Sequence, residues 1–372
     1  MGAPVAPIRT QNLPAGYDIF GLGCGAMTVL RVRGIGLPDG ETIDLYADGD
    51  RWTTEPVRGA ELVAEGWVLP GLVDVHTHPG AVQPGDPLDE AVLRDDLRRH
   101  VASGVTLIRS PGLAGDPPAW FGRDDDVPRA VHAGPWIARH GAFFDGWGRR
   151  AEPSELPELA AAQAARSGWA KIIADWTLES EPLSFETLRA VTERVHAVGG
   201  RVAVHSQHLA GGTAAVDAGV DSVEHGMGLD ASALDRMVAN RVAFTPTLSV
   251  LEGGGARARE RPNSPMRTWY LDGVAAHPPL VAAAAEAGVT LLAGTDSRPH
   301  GGIAGEVRAL VAAGVPAHTA LGAASWVARK FLGLAGLVDG APADAVVYAR
   351  DPRTHLEELD HPLAVILRGI LS

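Results

Sequence analysis

The sequence has little cysteine, few aromatic residues and no long apolar run. Cys24 is the single cysteine among 372 residues, so no disulfide can form within the chain, as in proteins of reducing compartments. No stretch of about 18 uninterrupted apolar residues occurs, and residues 1–16 contain three prolines but no apolar core of a signal peptide. We therefore expect a cytoplasmic protein with no membrane partner.

Basic residues are scarce as well. Lys and Arg total 32 against 45 Asp and Glu, which gives a formal net charge of −13. Nucleic-acid binding depends on neutralising phosphates with basic side chains, so this balance argues against a nucleic-acid partner. The expected partner is a small-molecule substrate. A homo-oligomer is compatible with the sequence, which does not determine the oligomeric state.

Glycine and alanine, by contrast, are abundant, and the apolar fraction of 46% is that of a globular protein. The two ends of the chain, residues 1–68 and 335–372, consist of short apolar runs separated by turns such as Pro38-Asp39-Gly40. This pattern predicts strands. We expect the N-terminal and C-terminal segments to form one small β-sandwich domain together.

Residues 69–334 show a different pattern. Eight short apolar runs alternate with Ala-rich segments of helical periodicity. Eight such repeats over about 260 residues predict an α/β fold, a (β/α)8 TIM barrel. The alternative, a doubly wound open sheet, usually carries a glycine-rich phosphate turn after its first strand, and residues 70–80 are not such a turn. The stretch from Gly253 to about His277 is expected to be a long loop over the C-terminal face of the barrel.

Histidines and other polar residues stand where the predicted barrel strands end. In a (β/α)8 barrel these ends meet at the face that carries the active site. Residues i and i+2 of a strand face the same side, so the imidazoles of His76 and His78 are expected to point inward together. The same face should receive Lys171 from the fourth strand, His205 from the fifth, His225 from the sixth and Asp296 from the eighth. Imidazoles and a carboxylate that converge on one point predict a divalent-metal site.

Two acids beside these residues are interpreted differently. Asp74 shares a face with His76 but lies deeper in the barrel, so we expect it to be a buried partner of the site. Glu224 immediately precedes His225, and strand alternation predicts that it points outward into the helix layer.

The same residues lie in motifs that resemble those of the amidohydrolase superfamily. The matching stretches are PGLVDVHTH (70–78), VH (204–205), VEHG (223–226), GTDS (294–297) and, in the tail, ADAVV (343–347). The resemblance extends over nearly the whole chain and is strongest to imidazolonepropionase-like and Xaa-Pro dipeptidase-like members. One departure is Ala174-Asp175-Trp176, which stands where these proteins often have two glycines after the strand-four lysine.

The resemblance implies a binuclear metal centre. In such members the strand-four lysine, here Lys171, is carboxylated by carbon dioxide and bridges two metals. Two Zn²⁺ ions are the default, with manganese, cobalt or iron as alternatives. A water activated by the metals would be the nucleophile, and Asp296 would pass its proton to the leaving nitrogen. The expected ligands are His76, His78 and Asp296 for one metal, and His205 and His225 for the other, with Lys171 shared.

The expected reaction is hydrolysis of an amide or another C–N bond, in a dipeptide, an N-acyl amino acid, a cyclic amide or a related small molecule. His140, after the third strand, matches a histidine that contacts the substrate carbonyl in related amidohydrolases. Arg109, at the end of the second strand, and Arg298, in the last loop, are further candidate substrate contacts.

Other activities remain open at the same site. A mononuclear amidohydrolase, ring-opening or deaminating, would leave Lys171 uncarboxylated, and an esterase or lactonase could use the same groups. His208 stands three residues after His205, where deaminases of the superfamily tend to have a glutamate, which disfavours deamination. A catalytically silent scaffold should have lost metal ligands, and this sequence retains the set.

Overall fold

The computed structural model describes residues 29–372, so Cys24 lies outside the described residues. Within that range the chain forms 16 strands: β1 (Leu30–Gly36), β2 (Glu41–Asp48), β3 (Arg51–Thr53), β4 (Glu61–Pro70), β5 (Leu72–Asp74), β6 (Val105–Ser110), β7 (Arg129–His132), β8 (Ile137–Arg139), β9 (Arg149–Ala151), β10 (Trp169–Ile173), β11 (Arg201–Ser206), β12 (Ser222–His225), β13 (Ala243–Thr245), β14 (Ala345–Tyr348), β15 (Ala364–Leu367) and β16 (Ile370–Leu371).

The same residues form ten α-helices: α1 (Glu90–Ala102), α2 (Leu156–Ser167), α3 (Phe185–Ala197), α4 (Leu209–Asp217), α5 (Leu234–Asn240), α6 (Leu248–Arg259), α7 (Pro265–Ala287), α8 (Ile303–Ala312), α9 (Ala317–Ala323) and α10 (Trp326–Phe331). Two short 3-10 helices lie at Ala231–Ala233 and Leu356–Asp360. None of these described helices is long and apolar enough to cross a membrane.

The first four strands and the last three form one seven-stranded sheet, in the order β16-β15-β14-β4-β1-β2-β3. Strand β4 lies at its centre, parallel to β1 and antiparallel to β14, so main-chain hydrogen bonds join the two ends of the chain. The sheet curls on itself: Trp52 N donates to Ala341 O at 2.9 Å, and Trp52 shares a buried core with Ile366. The small β domain therefore draws its strands from both ends of the chain.

The barrel is built from β5 to β8, β10 to β13 and residues 291–296, and β9 pairs in parallel with β8 at the edge of its sheet. Strands β5, β6 and β7 pair in parallel, and so do β8 and β10 to β13. Residues 291–296 complete the ring: Phe244 and Leu291 form a parallel bridge, and Val75 N donates to Ala293 O at 3.0 Å. Strands β6 and β10 are buried at every residue, as parallel strands covered by helices should be. The predicted (β/α)8 fold is confirmed.

The structure adds one irregularity to the barrel, and one local expectation was wrong. The third barrel strand is split into β7, which pairs with β6, and β8, which pairs with β10. The stretch from Gly253 to His277 is not a loop, because α6 and α7 form a helical hairpin there. A Cβ at Gly254 would lie 2.1 Å from the Tyr270 hydroxyl, so glycine at this position serves close helix packing.

Candidate metal centre

Four histidines and one aspartate meet at the C-terminal end of the barrel. The Nε2 atoms of His76 and His78 lie 3.1 Å apart, and Asp296 Oδ1 lies 3.8 Å and 3.3 Å from them, respectively. The ring centroid of His225 is 4.9 Å from that of His76 and 4.7 Å from that of His205. The structure thus brings together these five side chains, which are far apart in the sequence.

Hydrogen bonds to the protein orient the first two imidazoles. His76 Nδ1 donates to a Glu224 carboxylate oxygen at 2.7 Å, and His78 Nδ1 donates to Gly112 O at 2.7 Å. Burial lowers the pKa of His76 to about 4 and that of His78 well below its usual value, so both rings are neutral. Each Nε2 then carries a lone pair, and two lone pairs that face each other at 3.1 Å suit a cation.

Lys171 lies on β10 and lines the same cavity as these histidines. Burial lowers the pKa of its amine to about 8, which makes the neutral form accessible near physiological pH. Among the described residues, neither Lys171 Nζ nor His205 Nε2 has a hydrogen-bond partner, although both atoms are buried. Buried polar atoms without partners are costly unless a ligand satisfies them, so this donor set fits a divalent cation.

Strand alternation predicted that Glu224 points into the helix layer, and this prediction was wrong. It is fully buried inside the barrel, where it accepts from His76, from Ser222 Oγ at 2.5 Å and from an Arg109 guanidinium nitrogen at 2.7 Å. The backbone of His225 has a positive φ of 65°, so the regular pleat ends there and both consecutive side chains reach the interior. Burial alone would raise the pKa of Glu224, but the charges of Arg109 and Lys171 hold it well below its usual value.

Arg109 was expected to contact substrate, and the structure places it elsewhere. Its guanidinium is buried beneath the site and donates to Val75 O at 2.7 Å, Ser222 Oγ at 2.8 Å and Glu224. Because all these partners belong to the barrel, Arg109 fixes Glu224 and is not available to a ligand.

Asp296 is held in an unusual backbone conformation, with φ of 46°, and its N–H donates to His76 O at 2.7 Å. Burial raises the pKa of its carboxyl to about 7. Asp74, as expected, is a buried partner: it accepts from His76 N at 3.1 Å and from Thr295 Oγ1 at 2.6 Å. These bonds tie the segment before Asp296 to the segment that carries His76.

The two remaining sequence candidates differ in position. His140 is exposed in the turn after β8 and does not line the cavity, so the expected contact with a substrate carbonyl is not supported. Arg298 does line the cavity, but both its terminal nitrogens bond Asp96 at 2.7 Å. His140 directly follows β8, as the sequence predicted, but its side chain points to solvent instead of lining the cavity.

The cavity above these residues has a volume of about 400 Å³. Its wall includes residues that sequence reasoning did not assign: Trp136, Phe143, Phe144, Trp147, Trp176, Arg257 and Tyr270. A signal existed for three of them, because residues 141–148 (GAFFDGWG) place three aromatic residues in a short turn-rich insertion of a chain with few aromatics. Arg257 and Tyr270 lie within the stretch from Gly253 to His277 that the sequence predicted to be a loop.

Comparison with known proteins agrees with this architecture. An uncharacterized protein of Mycobacterium tuberculosis is 42% identical over 359 residues, 91% of this chain and 95% of the relative. The crystal structure of a Xaa-Pro dipeptidase with bound methionine is similar with a TM-score of 0.79 and 24% identity, covering 93% of this chain and 100% of that one. Aspergillus niger ochratoxinase has a TM-score of 0.79 and 21% identity, covering 92% and 96%. The model of the amidohydrolase family matches residues 67–371, and the protein therefore belongs to that family of hydrolases.

Proposed function

We propose that the protein hydrolyses an amide or a related C–N bond of a small molecule with two divalent ions, zinc by default, at the cluster described above. The main support is the pair of neutral imidazoles of His76 and His78. Their Nε2 atoms face each other at 3.1 Å, while their Nδ1 atoms donate hydrogen bonds to other groups of the protein. When bound, the ions would polarise the scissile carbonyl and acidify water. The proposed ligands are His76, His78, Lys171, His205, His225 and Asp296.

Lys171 is proposed to be carboxylated. Its neutral amine nitrogen would attack the carbon of carbon dioxide, and loss of one proton would leave a carbamate anion with two oxygen ligands. Burial favours this reaction because it lowers the pKa of the amine to about 8, and no other described group accepts a hydrogen bond from Nζ.

Asp296 is the proposed proton carrier. Its carboxylate lines the cavity beside His76 and His78, and its backbone is fixed by the bond to His76 O. It would accept a proton from the attacking water and deliver it to the leaving nitrogen. Glu224 keeps the ring of His76 in one tautomer and orientation during both steps.

Arg257 is the proposed contact for a substrate carboxylate, as dipeptides and N-acyl amino acids carry. It lines the cavity from α6, and no described carboxylate lies within 4.0 Å of its guanidinium. A hydrogen-bonded charge pair contributes about 1.5–3 kcal/mol, so Arg257→Gln should raise KM about tenfold or more for carboxylate-bearing substrates only. Arg259→Gln, on the same helix and exposed, is the matched control; equal KM values in the two variants would contradict this role.

The test of the function is a screen of metal-reconstituted protein. Dipeptides, N-acyl amino acids, lactams and aryl esters are compared by product release, and bound metal is counted by elemental analysis. We expect hydrolysis of amides, about two metal ions per chain and loss of activity with chelator. Exclusive turnover of esters, or activity that survives complete metal removal, would overturn the proposal.

A mononuclear centre is the second candidate. Within residues 29–372, the group of three ligands whose donor atoms all lie within 4.8 Å of one another is His76, His78 and Asp296. A single ion held there would leave Lys171 as a plain amine. One metal ion per chain, with full activity retained in Lys171→Gln, would favour this candidate over the binuclear one.

A further inference from the structure

Five aromatic side chains form a continuous wall on one side of the cavity, and we call it the aromatic arc: Trp136, Phe143, Phe144, Trp147 and Trp176. They are three of the nine Trp and two of the seven Phe residues of the chain. Trp136 and Trp147 stack with ring centroids 4.8 Å apart and planes inclined by 15°. The ring centroid of Phe143 lies 5.3 Å from that of Trp136 and 5.1 Å from that of Trp176, so neighbouring rings are in contact from one end of the arc to the other.

The arc spans the proposed metal centre. At one end, the Trp136 ring centroid lies 5.0 Å from that of His78, and at the other end the Trp176 ring centroid lies 5.5 Å from that of His205. These histidines belong to the two different halves of the ligand set. A substrate group on this side of a scissile bond held at the centre would therefore lie against the arc.

The protein backbone makes room for this arc. A Cβ at Gly112 would lie 2.1 Å from Trp136 Nε1, and a Cβ at Gly148 would lie 2.7 Å from Trp136 O. Trp147 Nε1 donates to Asp86 O at 2.7 Å, which anchors its indole. Trp136 and Trp147 are almost completely buried, whereas Phe144 is 38% exposed and can contact a ligand. The arc is thus a preformed surface whose rings are fixed by neighbouring groups.

Charges in the cavity limit which group the arc can take. Arg257 lines the same cavity and the proposed ions add further positive charge, whereas Arg298 is neutralised by Asp96. A cationic group over the rings would be repelled by these charges, although isolated aromatic faces bind cations well. A neutral aromatic group gains ring–ring contacts and loses no charge hydration.

We propose that the aromatic arc binds a neutral aryl group next to the scissile bond, so that the substrate is an aryl-bearing or arylalkyl-bearing amide. The inference rests on the proposed amide hydrolysis and names its substrate class. A cavity of about 400 Å³ is large enough for a phenyl ring and the amide beside it.

Matched substrate pairs test this inference. N-acetylglycine is compared with N-benzoylglycine, and glycylglycine with glycylphenylalanine, using the metal-loaded enzyme. We expect kcat/KM to be at least about tenfold higher for the aryl member of one pair or both. This preference should fall about fivefold or more in Phe144→Ala and in Trp176→Leu. Phe185→Ala is the matched control, because Phe185 is 39% exposed on α3 and does not line the cavity.

Equal kcat/KM within both pairs would overturn the inference, and so would equal turnover of N-benzoylglycine and N-cyclohexanecarbonylglycine. A binding measurement separates this failure from failure of the proposed function. If no amide is cleaved, calorimetric titration with N-benzoylglycine and N-acetylglycine still tests the arc. Tighter binding of the benzoyl compound to the wild type, reduced in Trp176→Leu but not in Phe185→Ala, supports the aryl site. Equal binding of the two compounds contradicts it.

Discussion

The two halves of the proposed metal centre differ in how the protein holds them. In the first half, the ring of His76 is fixed by a hydrogen bond to Glu224 and the ring of His78 by one to Gly112 O. The backbone of Asp296 is fixed by a hydrogen bond to His76 O. In the second half, His225 Nδ1 bonds Thr247 Oγ1 at 2.8 Å, but the buried Lys171 Nζ and His205 Nε2 have no partner among the described residues. We infer that the first half is preorganised by the fold, whereas the second relies on the proposed ions and carbamate to satisfy its polar atoms.

The largest effect on kcat is expected for a change of Asp296, the proposed proton carrier of the first half. Asp296→Asn keeps the size of the side chain but removes its ability to accept a proton, so kcat should fall about a thousandfold. Steady-state kinetics on the best amide from the screen, together with metal content, measure this. A kcat within tenfold of the wild type would contradict the proposed proton transfer.

Lys171 tests the second half. Lys171→Gln cannot form a carbamate, so we expect about one metal ion per chain to be lost and kcat to fall about a hundredfold. Growth or incubation with ¹³C-bicarbonate should give one carbamate carbon signal in the wild type and none in this variant. Lys330→Gln is the matched control, because Lys330 is the other lysine of the chain and is exposed on α10. A carbamate signal that persists in Lys171→Gln would refute the assignment.

Glu224 tests whether preorganisation of the first half matters. Glu224→Gln removes the charge that holds His76 and leaves Arg109 without its carboxylate, so metal affinity should fall about 10–100-fold. Competition with a chelator measures the affinity, and thermal unfolding checks that the variant is folded. Glu65→Gln, in the exposed pair with Arg33, is the control. Unchanged affinity in Glu224→Gln would show that the bond to His76 is dispensable.

The smallest effect is expected outside the centre. His196 bonds Asp221 at 2.9 Å on the barrel surface, and this bond raises its pKa above the usual 6.5. A raised pKa in the folded state stabilises the protein below about pH 6.5, and this contribution is lost as pH rises through the folded-state pKa. The half-exposed pair is screened, so the contribution should be at most about 1 kcal/mol. Urea unfolding at pH 6 and 8 should show a flatter pH dependence in His196→Gln, with kcat/KM unchanged; a steeper dependence would contradict this.

The sequence predicted the fold well because its signal is periodic. Apolar runs at strand spacing and Ala-rich helical segments recur eight times, and barrel strands such as β6 and β10 are buried on both sides. It also predicted which histidines converge, because the ends of parallel strands meet at one face. It misplaced Glu224, since the positive φ of His225 breaks the simple alternation on which that prediction rested. His140 directly follows a strand, as expected, but the substrate contact that the resemblance implied is not supported because its side chain is exposed.

The sequence by itself therefore determined the barrel, the family motifs and the cluster of His76, His78, His205, His225 and Asp296. Only the tertiary structure decided that Arg109 and Glu224 form a buried support beneath His76, and that five aromatic rings border the cavity. The physical reason is the range of the interactions. Strand and helix periodicity is local, whereas ion pairs such as Arg109–Glu224 and ring contacts such as Trp136–His78 join residues distant in the chain.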